Sequence, residues 1–192
     1  QFLSTLFWFF GINGPAVTNT IFAPIHKVLT VENYEAAKAG LEMTNIFTSG
    51  FSDFFCNFGG GGSTLALVIM MAFFAKSSRL KTLGKLSLPA GIFGINEPII
   101  FGIPMVMNPM FAVPFFLAPI ACVCCGYLVQ SLGLCPLFVI DVPWTTPVGL
   151  FGFLASSGNI MGAIWQAVII LGVSTLIYTP FVIAANRQEA AA

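Results

Sequence analysis

The sequence predicts an all-α integral membrane protein in which transmembrane helices alternate with two reentrant hairpins. Three observations carry that prediction. Of 192 residues, 57% are apolar and only 7% are charged, and the mean hydropathy is +0.94. Soluble domains carry roughly 25% charged residues, so a large soluble core does not explain this composition. Between Lys85 and Arg187 the only formal charges are Glu97 and Asp141. That same region alternates two clean apolar runs with two runs dense in glycine and proline.

Composition also excludes several classes. The net charge is zero, and the few Lys and Arg are not interleaved with aromatic residues for base stacking, so no nucleic-acid partner is expected. The chain starts with Gln1, and its first apolar segment lacks both a basic n-region and a small-residue cleavage site, so it does not read as a signal peptide. A piece of a longer chain is expected instead. Cys56, Cys122, Cys124, Cys125 and Cys135 show no zinc-like spacing with a histidine. Cys122 and Cys125 have C-x-x-C spacing, but inside a continuous apolar run; they read as small packing residues. No metal and no cofactor are expected.

Taken in order, residues 1–26 form an apolar segment broken at Gly11-Ile-Asn-Gly-Pro15. The polar stretch 27–42 follows, with a short amphipathic helix expected over 31–40, capped by Thr30 or Asn33. Residues 51–62 are rich in Phe and Gly and lead into a helical run over 63–75. Gly59 to Gly62 with Ser63 and Thr64 lack the lysine and spacing of a Walker motif, so a hinge or close helix packing is expected there. Lys76, Arg79, Lys81 and Lys85 then stand without a negative charge. That pattern reads as a solvated cytoplasmic loop, because such loops gather Lys and Arg, and Arg187 is placed on the same side.

Residues 86–108 contain Gly91, Gly94, Pro98, Gly102 and Pro104, too many breakers for one regular spanning helix. Residues 110–130 are long enough to span, since about 20 apolar residues cross the hydrocarbon core. Residues 131–159 are broken again by Gly133, Pro136, Pro143, Pro147, Gly149 and Gly158, and 161–184 form a second span. If both broken segments leave on the side they entered, the two spans carry the chain out and back and return Arg187 to the side of the basic stretch. Non-helical backbone at membrane depth is tolerated only when buried in protein or lining a cavity. Transporters build midplane sites from such paired broken segments, and here they carry Glu97 and Asp141.

Glu97 is the leading candidate. A carboxylate at membrane depth costs about 2.5 kcal/mol or more, so it faces a cavity, a partner or a ligand. Asn96 and Pro98 flank it at a turn, with no basic residue nearby in sequence, and Asn96 joins the candidate site. A carboxylate that accepts hydroxyl donors suits a sugar, and a site built to satisfy them rejects molecules lacking them. Asp141 either binds substrate or pins its own turn. Trp144 either stacks on a sugar face or belongs to an interfacial belt. Asn13, between Gly11 and Gly14, can donate and accept, which suits a polyol as well as the needs of a broken helix. His26 reads as an exposed loop histidine. One histidine with two distant acids does not make a catalytic constellation, and no catalytic residue is assigned. The residues alone thus predict a transporter of a polar, uncharged substrate, with an ion-coupled secondary sugar transporter as the alternative.

Three elements carry a family resemblance: Gly11-Ile-Asn-Gly-Pro15, the run from Gly59 to Thr64, and Gly94-Ile-Asn-Glu-Pro-Ile-Ile-Phe-Gly102 followed by Pro104-Met-Val-Met-Asn-Pro109. The chain resembles the membrane-embedded IIC components of the bacterial sugar phosphotransferase system, and within them the lactose/cellobiose/chitobiose family. That resemblance implies a homodimer of multi-pass, all-helical permeases in the bacterial plasma membrane. Each would have an N-terminal dimerisation half and a C-terminal substrate-binding half with two reentrant hairpins. Residues 1–192 match the C-terminal half, so the dimerisation half is expected to be absent from this chain. The implied substrate is a β-linked disaccharide of cellobiose, chitobiose or lactose type, contacted by Glu97. The family commonly has a histidine where this chain has Asn13, and asparagine cannot act as a general base. The implied mechanism is group translocation, with the sugar phosphorylated by a phosphocysteine on a IIB protein that is itself charged by IIA. Nothing here resembles a IIB or IIA domain, so both are expected as partners. The basic stretch 76–85 is either a docking surface for IIB or a plain cytoplasmic anchor.

Overall fold

A computed structural model describes residues 1–103, 105 and 108–191, with side chains through Gln188. Pro104, Val106 and Met107, within the predicted broken run 86–108 and the resemblance element, lie outside the described residues. Every regular element among the described residues is helical.

Helix α1 spans Phe2–Phe9, and the chain breaks at Gly11, where φ is +83°. Asn13 then caps helix α2, Gly14–Lys38, its Oδ1 accepting from the Ala16 amide at 3.0 Å, with Pro15 pre-set in the first turn. The break is where the sequence placed it, but the separate amphipathic helix over 31–40 is not found. Helix α2 runs unbroken through Pro24 for 25 residues. Thr30 and Asn33 are not caps but interior residues whose side chains make tertiary bonds. Thr30 pairs with Ser49 (3.0 Å), and the Asn33 amide donates to the Asn45 and Phe138 carbonyls. Those bonds account for polar residues on a helix with no cap to fill.

Helix α3 covers Ser49–Phe55 and α4 covers Leu65–Phe74, joined by the glycine run. The basic stretch is not a loop. Helix α5, Ser78–Ile92, begins inside it because the Ser77 hydroxyl caps the Leu80 amide and Asn186 Oδ1 accepts from the Lys76 and Ser77 amides. Arg79, Lys81 and Lys85 are exposed on it, and exposed Lys76 lies just before its start. Close packing holds α5 to α4: a Cβ on Gly84 would stand 2.4 Å from the Ala72 amide nitrogen.

The predicted break follows. Residues 93–96 turn, with Gly94 at φ +81°, and helix α6 spans only Glu97–Gly102. Helix α7, Pro109–Ser131, is capped by Asn108 and contains Pro114 and Pro119. The chain is then irregular to Gly149, forms α8 over Leu150–Ala155, and turns into α9, Ile160–Ala167. A π-helical turn, Val168–Val173, joins α9 to α10, Ser174–Ala191. Helix α7 (23 residues) and the continuous Ile160–Gln188 stretch (29 residues) are each long and apolar enough to cross a bilayer, with mean hydropathies of 2.1 and 2.2.

Two apolar cores meet on α7. One gathers Leu67, Met71, Ile99, Phe115 and Tyr178 from α4, α6, α7 and α10. The other stacks Phe54, Phe55, Phe58, Phe138 and Phe151 around α3 and the irregular segment, with Phe54 and Phe138 centroids 4.2 Å apart. Buried Cys56, Cys122 and Cys135 lie within this second core, and all five cysteines are free thiols. Fully buried Gln166 cross-links the surrounding backbone: its Oε1 accepts from the Gly149 and Gly152 amides, and its Nε2 donates to the Phe54 carbonyl. Between the cores the helix breaks converge, and that convergence positions the site.

Candidate functional site

The glycine run provides the floor of the site. Gly59, Gly60 and Gly62 adopt φ between +74° and +88°, which L side chains rarely adopt. The turn thus presents carbonyls to neighbouring helices: Gly62 O accepts from the buried Tyr178 hydroxyl at 2.7 Å, and Gly61 O from the buried Asn96 amide at 2.8 Å. Asn96 lies so close that a Cβ on Gly60 would stand 2.2 Å from its Cγ. The Trp8 ring covers Gly61 in the same way, at 2.4 Å from a Cβ built there. The expected close packing at this run is found, and it fastens α1 and the α5–α6 break to one turn.

A cleft of about 660 Å³ opens over that turn, within the usual range for small-molecule sites. Asn13, Asn96, Glu97 and Trp144, four of the five residues singled out from the sequence, line it. Glu97 is the first residue of α6 and is exposed to the cleft. Asn96 is buried, and its amide is engaged with Gly61. Asn13 faces the cleft while capping α2. Trp144 lies against Gly94: a Cβ there would stand 3.3 Å from the indole Cε3, while 56% of the residue remains open.

Asp141 lies in an adjoining cavity of about 420 Å³ and accepts from the Ser49 hydroxyl at 3.1 Å. That bond fastens the Asp141 segment to the start of α3. His26 is not on a loop. It sits within α2, half-buried, and lines the same cavity.

Three polar residues of the cleft escaped the sequence reading: Asp53, Asn57 and Asn19. Asp53 on α3 accepts from the Asn57 amide at 2.8 Å, and both line the main cleft. Burial raises the Asp53 carboxyl above the usual carboxylate range; the Asn57 hydrogen bond opposes that rise, and the nearby Asp141 charge adds to it. The signal was present, since Asp53 is the only charged residue between Glu42 and Lys76. The isolation that singled out Glu97 applies equally to Asp53. Trp8 and Asn19 complete the cleft from α1 and α2. Among the described residues, no group of three His, Cys, Asp or Glu side chains is arranged to hold a metal ion.

Fold and site together define a class: an all-helical, strongly apolar protein with a carboxylate-bearing polar cleft where its helix breaks meet. The chain belongs to the family described as Phosphotransferase system, EIIC, whose model matches residues 1–119. It is 43% identical to the lichenan permease IIC component of Bacillus subtilis (strain 168), over 96% of this chain and 41% of that protein. It is 40% identical to the oligo-beta-mannoside-specific EIIC component of the same organism, over 99% of this chain and 43% of the relative. The lactose-specific EIICB component of Staphylococcus aureus is 40% identical over 92% of this chain and 31% of its own length. The crystal structure of the transporter ChbC, the IIC component from the N,N'-diacetylchitobiose-specific phosphotransferase system, matches with a TM-score of 0.95 at 38% identity, covering 99% of this chain and 44% of that one. The chain therefore spans less than half the length of these relatives. Their membrane-permease names agree with the apolar composition, and the comparisons lend no support to the ion-coupled alternative.

Proposed function

We propose that this chain is the substrate-binding part of a phosphotransferase-system sugar permease, and that its cleft holds a β-linked sugar of cellobiose, chitobiose or lactose type. The observation that carries the reading is the convergence of the Glu97 and Asp53 carboxylates, the Asn13 and Asn57 amides and the Trp144 indole on one cleft. Carboxylates and amides match the hydroxyl edge of a pyranose, and an exposed indole matches its C–H face. The names of the relatives, which concern lichenan, oligo-β-mannosides, lactose and diacetylchitobiose, support the same substrate class.

In this reading Glu97 accepts from sugar hydroxyls, Asp53 is a second acceptor, and Trp144 is the stacking platform. Asn96 orients Glu97 through its bond to Gly61. The residues of this chain bind and orient the sugar. A phosphocysteine on a IIB partner, recharged by IIA, supplies the phosphoryl group to a sugar hydroxyl; the lactose-specific relative is named as an EIICB component. Asn13 holds a hydroxyl but cannot remove its proton; as the O–P bond forms and the S–P bond to the partner's cysteine breaks, that proton passes to another base, to a phosphoryl oxygen or to the departing thiolate. The broken segments around Glu97 and Asp141 are read as reentrant hairpins of a multi-pass protein of the bacterial plasma membrane. The exposed basic face of α5 is read as cytoplasmic and as a docking surface for IIB. Dimerisation is assigned to the part of the relatives that this chain does not match.

The test is an equilibrium titration of the purified full chain in detergent with cellobiose, diacetylchitobiose and lactose, read by tryptophan fluorescence. Saturable binding of one of them, lost in Glu97→Gln, supports the reading. Binding of none, or binding indifferent to Glu97→Gln, overturns it.

A further inference from the structure

The main cleft does not end at Trp144. The adjoining cavity of about 420 Å³ shares Asn19, Asp53 and Trp144 with it, so the two are contiguous and the indole and the Asp53 carboxylate stand at their junction. The lining of the second cavity is mixed in a particular way. Its polar side chains are Asn19, His26, Lys27, Ser49, Ser52, Asp53 and Asp141, a set that offers donors as well as acceptors. Its apolar wall is Ala23, Val142 and Pro143. A neutral pyranose has the same two-sided character, with a ring of hydroxyls around a C–H face. A compact anion would meet the two carboxylates, and a purely apolar ligand would take polar side chains such as Lys27 and Ser52 out of water without giving them a partner.

The geometry points to the second cavity as a subsite for a further sugar unit, so that the chain binds a β-linked trisaccharide or longer oligosaccharide in preference to a disaccharide. This rests on the sugar reading of the main cleft and extends it. Trp144 is the shared platform, with more than half of its surface open at the junction, and Asp53 faces the sugar units on both sides. Ala23 is the gate by size, because a bulky side chain at that position of α2 would fill the second cavity without touching the main cleft, whose lining does not include it. Lys27 is the principal donor unique to the second cavity.

The experiment is a titration of the full chain with cellobiose, cellotriose and cellotetraose and with β-1,4-mannobiose and mannotriose, on the wild type, Ala23→Trp, Lys27→Ala and Glu97→Gln. In at least one series the trisaccharide is expected to bind the wild type tenfold or more tightly than the disaccharide. Ala23→Trp is expected to bring the trisaccharide down to the disaccharide's affinity while leaving the disaccharide unchanged, and Lys27→Ala to do so in part. Disaccharide binding that is lost in Glu97→Gln but gains nothing with chain length overturns the second subsite and leaves the sugar cleft standing. So does an Ala23→Trp effect equal for both lengths. Failure of every oligosaccharide to bind the wild type overturns both.

Discussion

The Asn96 side-chain amide donates to the Gly61 carbonyl at 2.8 Å, across 35 residues of sequence. That bond ties the turn preceding Glu97 to the glycine run. A carboxylate on a six-residue helix has little local structure to hold it. The neighbouring buried amide fastens the turn from which that helix starts.

Asn96→Leu should therefore damage more than one contact. It leaves the Gly61 carbonyl buried without a donor, a loss of about 1–3 kcal/mol. A lowered thermal midpoint in detergent, with sugar affinity reduced although Glu97 is intact, is the expected outcome. Undiminished affinity would show that Glu97 is oriented by something else. Gly60→Ala should act similarly, because its Cβ would overlap Asn96 at a φ of +83°.

Glu97→Gln should leave the thermal midpoint unchanged and weaken sugar binding at least tenfold. Hydrogen bonds to a charged acceptor contribute about 1.5–3 kcal/mol, and a factor of ten corresponds to about 1.4 kcal/mol. Calorimetric titration checks the affinity and a melting curve checks the fold.

Asp53→Asn should separate function from stability. The variant keeps an oxygen for the Asn57 amide but removes a half-buried charge whose desolvation opposes folding. We expect unchanged or raised thermal stability together with a severalfold loss of sugar affinity. Lost stability with normal affinity would reassign Asp53 to the scaffold.

Gln166→Leu should be among the most damaging single substitutions in the chain. It strands the Gly149 and Gly152 amides and the Phe54 carbonyl in the aromatic core, at about 1–3 kcal/mol each. Expression yield and the melting temperature are the readouts, and a near-native melt would mean that the backbone finds other partners.

Asn13→His should cost about 1 kcal/mol, because histidine does not replace the Asn13 oxygen that caps Ala16, whereas Asn13→Ser keeps a capping oxygen. Melting curves of the two variants should rank them in that order. Equal melts would mean that the cap contributes little to holding the α1–α2 break.

Much of the architecture was legible because it rests on one-dimensional signals. Charge scarcity and hydropathy marked the two long apolar helices, and clusters of Gly and Pro marked the breaks before α2 and α6 and the irregular segment after α7. Isolation in an apolar run singled out Glu97. Applied to residues 43–75, the same criterion would have found Asp53. The errors arose where tertiary bonds replaced local ones. Thr30 and Asn33 resemble caps in sequence but bond to Ser49, Asn45 and Phe138. The basic run resembles a loop but is helical, because Asn186, more than a hundred residues away, takes up its first amides.

By itself the sequence determined the membrane class, the positions of the helix breaks and the residue types available for recognising a hydroxyl-rich ligand. These follow from composition and backbone chemistry, which act locally. Only the tertiary structure decided that Asn13, Asp53, Glu97 and Trp144 face one another, that Asn96 fastens the glycine run, and that Asp141 stands in an adjoining cavity. Those are facts of long-range packing: close approach at Gly60, buried amides that must find carbonyls, and aromatic stacking around α3 set which breaks meet, and no local pattern encodes the meeting.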